Sequence, residues 1–456
     1  MAESVRRQIS YTFPKQLDVI LETLEKNGFE AYVVGGAVRD IVLGKTPDDF
    51  DVTTSATPEE VVRVFGERHC HPTGIAHGTV TVVEDGIPFE ITTFRIDGEY
   101  NDSRHPEQVL FTRNLQDDVL RRDFTINAMA MTREAEVVDF CGGLSDLEMG
   151  VIRAVGEPKK RFEEDALRIL RALRFASQLG FTIEKETSCE IFRQKESLPR
   201  LSAERIWQEL RKLFCGEYAT AILREYFEVF AVIFPEIGPM KGCEQHNPHH
   251  IYDVWEHSLV AMQNVPANTV LRTTMLFHDV GKPACFTLDE KGVGHFNGHQ
   301  SLGAEMTDAI LRRLKVDTDT RESIVYLIRI HDMTIEPREK IVRRRLAQMG
   351  EPMLRNLIAV KRADMKGHSQ LSAYRFAEID AFEALLDKTL EDQLCYSFDM
   401  LEVNGKDLIS IGMTPGPELG KVKKQLLDEV IEDRIPNDKT ALLLRAQAIR
   451  GEMSQQ

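Results

Sequence analysis

No stretch of this 456-residue chain has the roughly 20 consecutive apolar residues that cross a bilayer as a helix. Its opening residues, Met-Ala-Glu-Ser-Val-Arg-Arg, lack the apolar core of a secretory signal. Cysteine is sparse and scattered. The seven, Cys70, Cys141, Cys189, Cys215, Cys243, Cys285 and Cys395, contain no Cys-x-x-Cys pair, which speaks against a cysteine zinc site and suits a reducing cytoplasm. Internal repeats, low-complexity segments and a strongly basic C-terminal tail are all missing. Positive charge is the minority: 57 Lys and Arg against 73 Asp and Glu leave a net −16, which weighs against a surface coated for nucleic acid. With 42% hydrophobic and 29% charged residues, the composition is that of a soluble protein long enough for two to four domains. A cytoplasmic location and no membrane partner are the expectations.

What is present begins at residue 31. Ala31-Tyr-Val-Val34 reads as a short apolar strand, followed by Gly35-Gly36 and a helical stretch through Arg39. A glycine pair at a strand-to-helix turn offers backbone N–H groups to phosphate. Asp49 and Asp51 follow, two apart at a β-rich segment, so both carboxylates face one side and can share a pair of hard cations. Two magnesium ions about 3.5–4 Å apart stabilise the attacking and leaving oxygens of a phosphoryl displacement, so the string predicts nucleotidyl transfer. Thr57-Pro-Glu-Glu60 predicts a capped helix from Pro58. Residues 79–84 and 88–94 predict a hairpin about Asp85-Gly86, whose second strand brings Glu90 as a further candidate carboxylate. The polar run 95–106 is expected to be a mobile loop.

Arg121-Arg122-Asp123-Phe-Thr-Ile-Asn127 supplies forked donors suited to a triphosphate. In Glu164-Asp165-Ala-Leu-Arg168-Ile-Leu-Arg171-Ala-Leu-Arg174, helical spacing puts Asp165 and Arg168 on one face and extends it through Arg171 and Arg174. A carboxylate that accepts beside a guanidinium that donates can read the edge of a base. Glu204 and Arg205, on a further helix, are candidates to buttress that face. From about Phe162 onward the pattern is helical almost throughout.

In order and spacing, these motifs resemble the bacterial class II tRNA CCA-adding nucleotidyltransferases and the related bacterial poly(A) polymerases, over about the first 215 residues. The resemblance implies an α+β chain with a polymerase-beta-like head, followed by an all-α neck, an HD-type body and a tail. It implies magnesium at Asp49 and Asp51, nucleotide phosphates at Gly35, Gly36, Arg39 and Arg122, and base recognition by Asp165 and Arg168. Arg171 and Arg174 correspond to further nucleotide contacts, and the 95–106 loop to an element implicated in changing from C to A addition. CTP, ATP and tRNA are the implied partners. Poly(A) synthesis and partial CC- or A-addition share the same motifs and stand as alternatives.

The second half resembles an HD-type metal phosphohydrolase: His257, the pair His278-Asp279 and Asp364 occur in that order. Such imidazoles and carboxylates suit a divalent transition metal or Mg²⁺ that activates water. His299, His331 and Asp332 are candidates for a second metal, whereas His246, His249 and His250 read as loop residues. A phosphohydrolase acting on RNA ends or nucleotides is therefore a different-class alternative. Between Arg338 and Lys366, nine Lys or Arg face three acids, either a solvated face or an RNA-facing stripe. The expected division is a head over 1–150, a neck over 151–220, an HD domain over 221–375 and a helical tail over 376–456.

Overall fold

The computed structural model describes residues 4–74, 78–97 and 109–453. The chain divides into two compact units, Met1–Pro235 and Glu236–Gln456. The division falls in the interval 220–245, where Phe234-Pro235 and Gly238-Pro239 interrupt the helical pattern. Residues 151–220 cluster with the first 150.

Apart from a short parallel pair, Val151–Ile152 with Thr182–Ile183, the strands of the first unit are β1 (Val5–Gln8), β2 (Ala31–Val34), β3 (Asp51–Thr54), β4 (Cys70–Gly74), β5 (Thr79–Glu84), β6 (Ile87–Thr93), β7 (Arg95–Asp97), β8 (Val109–Phe111), β9 (Met129–Met131) and β10 (Glu136–Asp139). All but the β7–β8 pair form one sheet, ordered β1-β10-β9-β2-β3-β6-β5-β4. Neighbours in it run antiparallel except β3 and β6, which are parallel. Register sets Asp51 opposite Val34 on one side and Glu90 on the other. The hairpin β5–β6 turns at Asp85 and Gly86, with φ of 48° and 81°. Positive φ at both central residues matches the right-handed strand twist, which is why Asp-Gly marks such a turn. Of the expected 95–106 loop, Arg95–Asp97 is strand; residues 98–106 lie outside the described ones.

Helix α1 (Lys15–Lys26) buries Leu17, Ile20, Leu21 and Leu24, the i, i+3, i+4, i+7 stripe of a one-sided helix. Helix α2 (Gly36–Val42) leaves the glycine turn, and α3 (Pro58–Phe65) starts at a reciprocal Thr57–Glu60 capping box. Helices α4 (Leu115–Leu120), α5 (Gly143–Met149), α6 (Pro158–Glu164), α7 (Leu167–Leu179), α8 (Lys185–Gln194) and α9 (Ala203–Phe214) complete the elements that matter for the site. Fully buried Leu170 and Leu173 anchor α7, each worth about 1.5–3 kcal/mol. The continuous helix expected over 164–174 is corrected here: Asp165 is extended, with φ −150° and ψ 103°, and separates α6 from α7. Asp165 Oδ1 instead accepts from Leu167 N at 3.0 Å, as short acidic side chains do where a helix begins.

In the second unit the regular elements among the described residues are helices, apart from a ribbon pairing Thr287–Leu288 with Gly294–His295 and an isolated bridge between His250 and His368. Residues Glu339–Lys366 break at Gly350, φ 73° and ψ 165°, with Pro352 in the first turn beyond. A separate apolar core runs from Cys395 to Ile449. Of the basic residues of 338–366, Arg343 faces inward, and most of the others make local pairs at the surface. Arg343 is buried, donating to Cys395 O and Val430 O at 3.0 Å and pairing with Asp433. Arg344 pairs with Glu432, Arg355 with Glu351 and Asp387, and Arg362 with Asp380 and Glu383. Lys361 donates to His331 O at 2.9 Å. No described helix is long and apolar enough to cross a membrane.

Candidate functional site

Gly35 caps α2 with φ 74°, a conformation that disfavours any side chain. A Cβ there would stand 3.5 Å from Arg122 Nη1 and 3.9 Å from Asp51 Oδ2. The turn is therefore flanked by a guanidinium and a carboxylate. Asp49 lies just before β3, Asp51 begins it, and Glu90 is Asp51's neighbour on β6. Burial raises the Asp51 carboxyl above its ordinary value, Asp49 and Glu90 push it further, and Arg122 partly opposes them. Three carboxylates that repel one another fit a divalent cation, whose charge would relieve them. Helix α2 has only seven residues, so phosphate attraction depends more on the arginines than on its dipole.

Those arginines are held from behind. Asp118, on α4 and fully buried, pairs with Arg121 at 2.7 Å and Arg122 at 3.2 Å, and Thr53 donates to it at 3.2 Å. Burial alone would raise the Asp118 carboxyl, but the two guanidiniums hold it below its usual range. Arg122 Nε is buried with no partner, leaving a donor to spare. Arg39 binds Asp40 and donates from Nη1 to Asn127 Oδ1 at 2.9 Å. Nothing in the sequence marked Asp118, because its arginine partners are charged near neighbours just past the end of its short helix while its Thr53 contact is 65 residues away.

Asp123 joins this group to α7. Its Oδ2 lies 2.6 Å from Arg171 Nε. Arg171 also faces Glu209 on α9 at 3.9 Å, and Glu209 receives Arg174 at 2.5 Å. Arg174 stacks on Phe175, with its guanidinium 4.0 Å from the ring centre. Arg168 pairs with Glu164 at 2.6 Å and donates to Arg121 O at 3.4 Å. Arg205 holds Asp165 Oδ2 at 2.6 Å, so the expected buttress is present in Arg205. Asp165 keeps acceptor capacity beyond these contacts, and the adjacent Arg168 keeps unspent donors. The first unit thus brings Gly35, Gly36, Arg39, Asp49, Asp51 and Arg122 to one end of the sheet. Asp165, Arg168, Arg171 and Arg174 are tied to that group through Asp123 and Arg121.

The second unit assembles all four HD residues. His257 Nε2 lies 2.9 Å from Asp364 Oδ1 and 3.5 Å from Asp279 Oδ2. His278 Nε2 is 3.2 Å from Asp279 Oδ2 and 3.4 Å from Asp364 Oδ1. The other oxygen of Asp279 faces His299 at 3.4 Å and His331 at 3.8 Å, and Asp332 lies 3.4 Å from His299. Asp279 therefore stands between two ligand sets, one per carboxylate oxygen. Lys282 Nζ sits 2.7 Å from Asp279 Oδ2 and donates to Gln245 Oε1 at 2.8 Å. Burial works against a proton on His278, yet Asp279 and Asp364 push its imidazole up to about 10. The carboxylates thus demand positive charge at this spot, and a divalent ion fits the demand. A cavity of about 550 Å³, bordered by Asp332, Asp364, Lys361, Tyr374 and Arg375, opens beside the cluster. Two histidines outside the predicted set also arrive here: His250, expected in a loop, and His368. Burial and the Lys282 charge hold the His250 imidazole down to about 2, in its neutral form.

The chain matches family models in three places. Residues 31–153 match the Poly A polymerase head domain, 180–240 an RNA- and SrmB-binding site of polymerase A, and 299–446 domain 2 of tRNA nucleotidyltransferases. The CCA-adding enzyme of Lactobacillus helveticus is 36% identical over 428 residues, covering 93% of this chain and 94% of the relative. That of Levilactobacillus brevis is 34% identical over 424 residues, covering 93% and 95%. Among solved structures, the Bacillus stearothermophilus CCA-adding enzyme in complex with CTP has a TM-score of 0.72 at 27% identity, over 97% of this chain and 98% of that one. The Thermotoga maritima CCA-adding enzyme complexed with tRNA shares the fold at a TM-score of 0.57 and 19% identity, over 97% and 99%. Similarity of this length and depth, in a chain whose glycine turn, carboxylates and arginines converge at one sheet end, places it in the family of CCA-adding enzymes.

Proposed function

We propose that this chain extends the 3′ end of tRNA by C, C and A, taking the nucleotides from CTP and ATP without a template. The observation that carries the reading is the convergence of Asp49, Asp51 and Glu90 with Arg122 across Gly35. Asp49 and Asp51, with Glu90 beside them, would hold Mg²⁺. When bound, the metal supplies charge neutralisation at the α-phosphate and at the primer oxygen. Arg39 and Arg122 grip the triphosphate, with Gly35 and Gly36 letting it approach the backbone. One of the two aspartates accepts the proton of the primer's terminal hydroxyl as that oxygen attacks the α-phosphorus, and pyrophosphate leaves. Positioning and charge account for most of the rate. Asp165, just ahead of α7, accepts from the edge of the incoming base and Arg168, on α7, donates to it, while Arg171 and Arg174 make further contacts to the nucleotide. The functional regions are a head over 1–150, a neck over 151–220, an HD domain over 221–375 and a tail over 376–456. The work is done in the cytoplasm.

The test offers the protein tRNA transcripts ending before CCA, after C and after CC, with CTP, ATP or both. Extension of all three that stops at CCA, lost in Asp49→Ala and Asp51→Ala, is the expected result. Long A tails or extension of only one transcript would replace the reading with poly(A) or partial addition.

A second activity is favoured by the shared position of Asp279 between two histidine sets. His257, His278, Asp279 and Asp364 would hold one divalent ion, and Asp279, His299 and His331 a second, as in a dinuclear phosphohydrolase. Phosphate release from p-nitrophenyl phosphate that survives Asp49→Ala but is lost in His278→Ala supports it; loss with Asp49→Ala alone refutes it.

A further inference from the structure

His250 and His368 belong to neither ligand set, yet both pack against His257. Their backbones form an isolated antiparallel bridge, which Ser369 continues by donating from N to His249 O at 2.7 Å. Their ring centres are 4.4 Å apart, and each is 5.4 Å from that of His257. One nitrogen from each of the three lies within 4.8 Å of the others. The Nδ1 atoms of all three are buried without a hydrogen-bond partner. His368 Nε2 also lies 3.7 Å from Asp364 Oδ2, the oxygen that His257 does not use. Gly367 makes the approach feasible, because a Cβ at that position would stand 2.4 Å from His257 Nδ1.

Buried polar atoms nearly always find partners, so three packed imidazoles that each keep an unpartnered buried nitrogen and bring one nitrogen apiece within 4.8 Å call for an occupant. Nitrogen ligands of a transition metal stand about 2.0–2.1 Å from the ion, so small rotations of these rings would close on one. Imidazole with a carboxylate suits zinc, iron or manganese rather than calcium or magnesium.

We propose that His250, His257 and His368, with Asp364 Oδ2, form a third transition-metal position adjoining the two-metal centre. The site rests on the dinuclear reading given above, since it shares His257 and Asp364 with it. It makes the second unit a three-ion centre with a histidine common to two of its positions.

The test uses cobalt(II) as the probe, with the full chain carrying Asp49→Ala and Asp51→Ala to remove the carboxylates of the first unit. Bound cobalt per chain is measured at equilibrium, together with its visible absorption. The expected result is three ions, falling to two in His250→Gln/His368→Gln and staying at three in the loop control His246→Gln. A circular-dichroism melt confirms that the double variant is folded; His250→Asn/His368→Asn is the substitute if it is not. Two ions both with and without the histidine pair would overturn the third site and leave the dinuclear centre standing. Three ions in both would overturn it as well, by placing the extra ion elsewhere. No tightly held cobalt in either would overturn both readings.

Discussion

Asp118→Asn is the perturbation that most directly examines how the nucleotide site is held. The side chain is fully buried, while its partners Arg121 and Arg122 are 17% and 18% exposed. An amide keeps the shape and can still accept from Thr53, but it removes the charge that two guanidiniums share. A hydrogen bond to a charged group is worth about 1.5–3 kcal/mol, and partial exposure of the arginines argues for the lower end of each. The expected loss is about 3 kcal/mol, lowering the melting temperature of the first unit by roughly 6–12 °C. Arg122 would also lose its anchor beside Gly35, so kcat/KM for CTP addition should drop by about 10²-fold, the scale of a 1 Å misplacement. The folded carboxyl sits below its unfolded value, so its stabilisation is complete above the unfolded pKa of about 3.9 and fades as pH falls through the lower folded one. Melting curves of wild type and variant should therefore differ fully at neutral pH and converge only in acid below about 3.9. Single-nucleotide incorporation and melting within experimental error of wild type at neutral pH would refute this account of Asp118.

Arg205→Ala removes the 2.6 Å partner of Asp165 and should cut kcat/KM for CTP and ATP by about tenfold, the factor for 1.4 kcal/mol, while leaving triphosphate protection of the first unit intact; steady-state incorporation with each nucleotide checks it. Because the Asp51 carboxyl is raised, acid should protonate it sooner than an ordinary aspartate, so incorporation falls on the acid side and added Mg²⁺ moves that limb to lower pH; pH–rate profiles at two magnesium concentrations read this directly. Gly143→Ala would put a Cβ 2.2 Å from Thr125 O, an overpacking expected to cost about 1–3 kcal/mol in a denaturant titration and to disturb Asn127, which receives Arg39. Arg343→Met should lower stability by about 1–3 kcal/mol, because it takes the buried donor away from Cys395 O, whereas Val430 O keeps Asp433 N–H and Asp433 is 55% exposed; a denaturant titration reads the change.

The features legible in the sequence were those whose chemistry is local. The Gly35 turn, the Thr57–Glu60 box and the Asp85-Gly86 hairpin each depend on residues within a few positions of one another. The carboxylates and arginines of the site also sit in short strings, and the structure gathers those strings. What stayed hidden was carried by long-range pairing: Asp123 with Arg171 across 48 positions, Thr53 with Asp118 across 65, and His250 against His368. Spacing also misled where a cap competes with a helix. Asp165 looked like an ordinary member of a helical face, but its carboxylate satisfies Leu167 N and ends that continuity. Charge counts likewise do not reveal that one arginine of the basic run, Arg343, is buried among carbonyls.

The run of contacts from Asp118 through Arg121 and Arg168, and from Asp123 through Arg171 and Glu209 to Arg174, carries a consequence for anyone redesigning the enzyme's choice of nucleotide. The residues proposed to grip phosphate and those proposed to read the base are braced by one connected set of contacts. A substitution aimed at Arg168 therefore also unsettles Arg121, one at Asp165 unsettles Arg205, and one at Asp123 unsettles Arg171. Directed evolution toward a different added base should recover its gains in clusters, with compensating changes at positions 121–123 and 209 accompanying any at 165 or 168. Single changes at the reading pair would be expected to trade speed for altered choice.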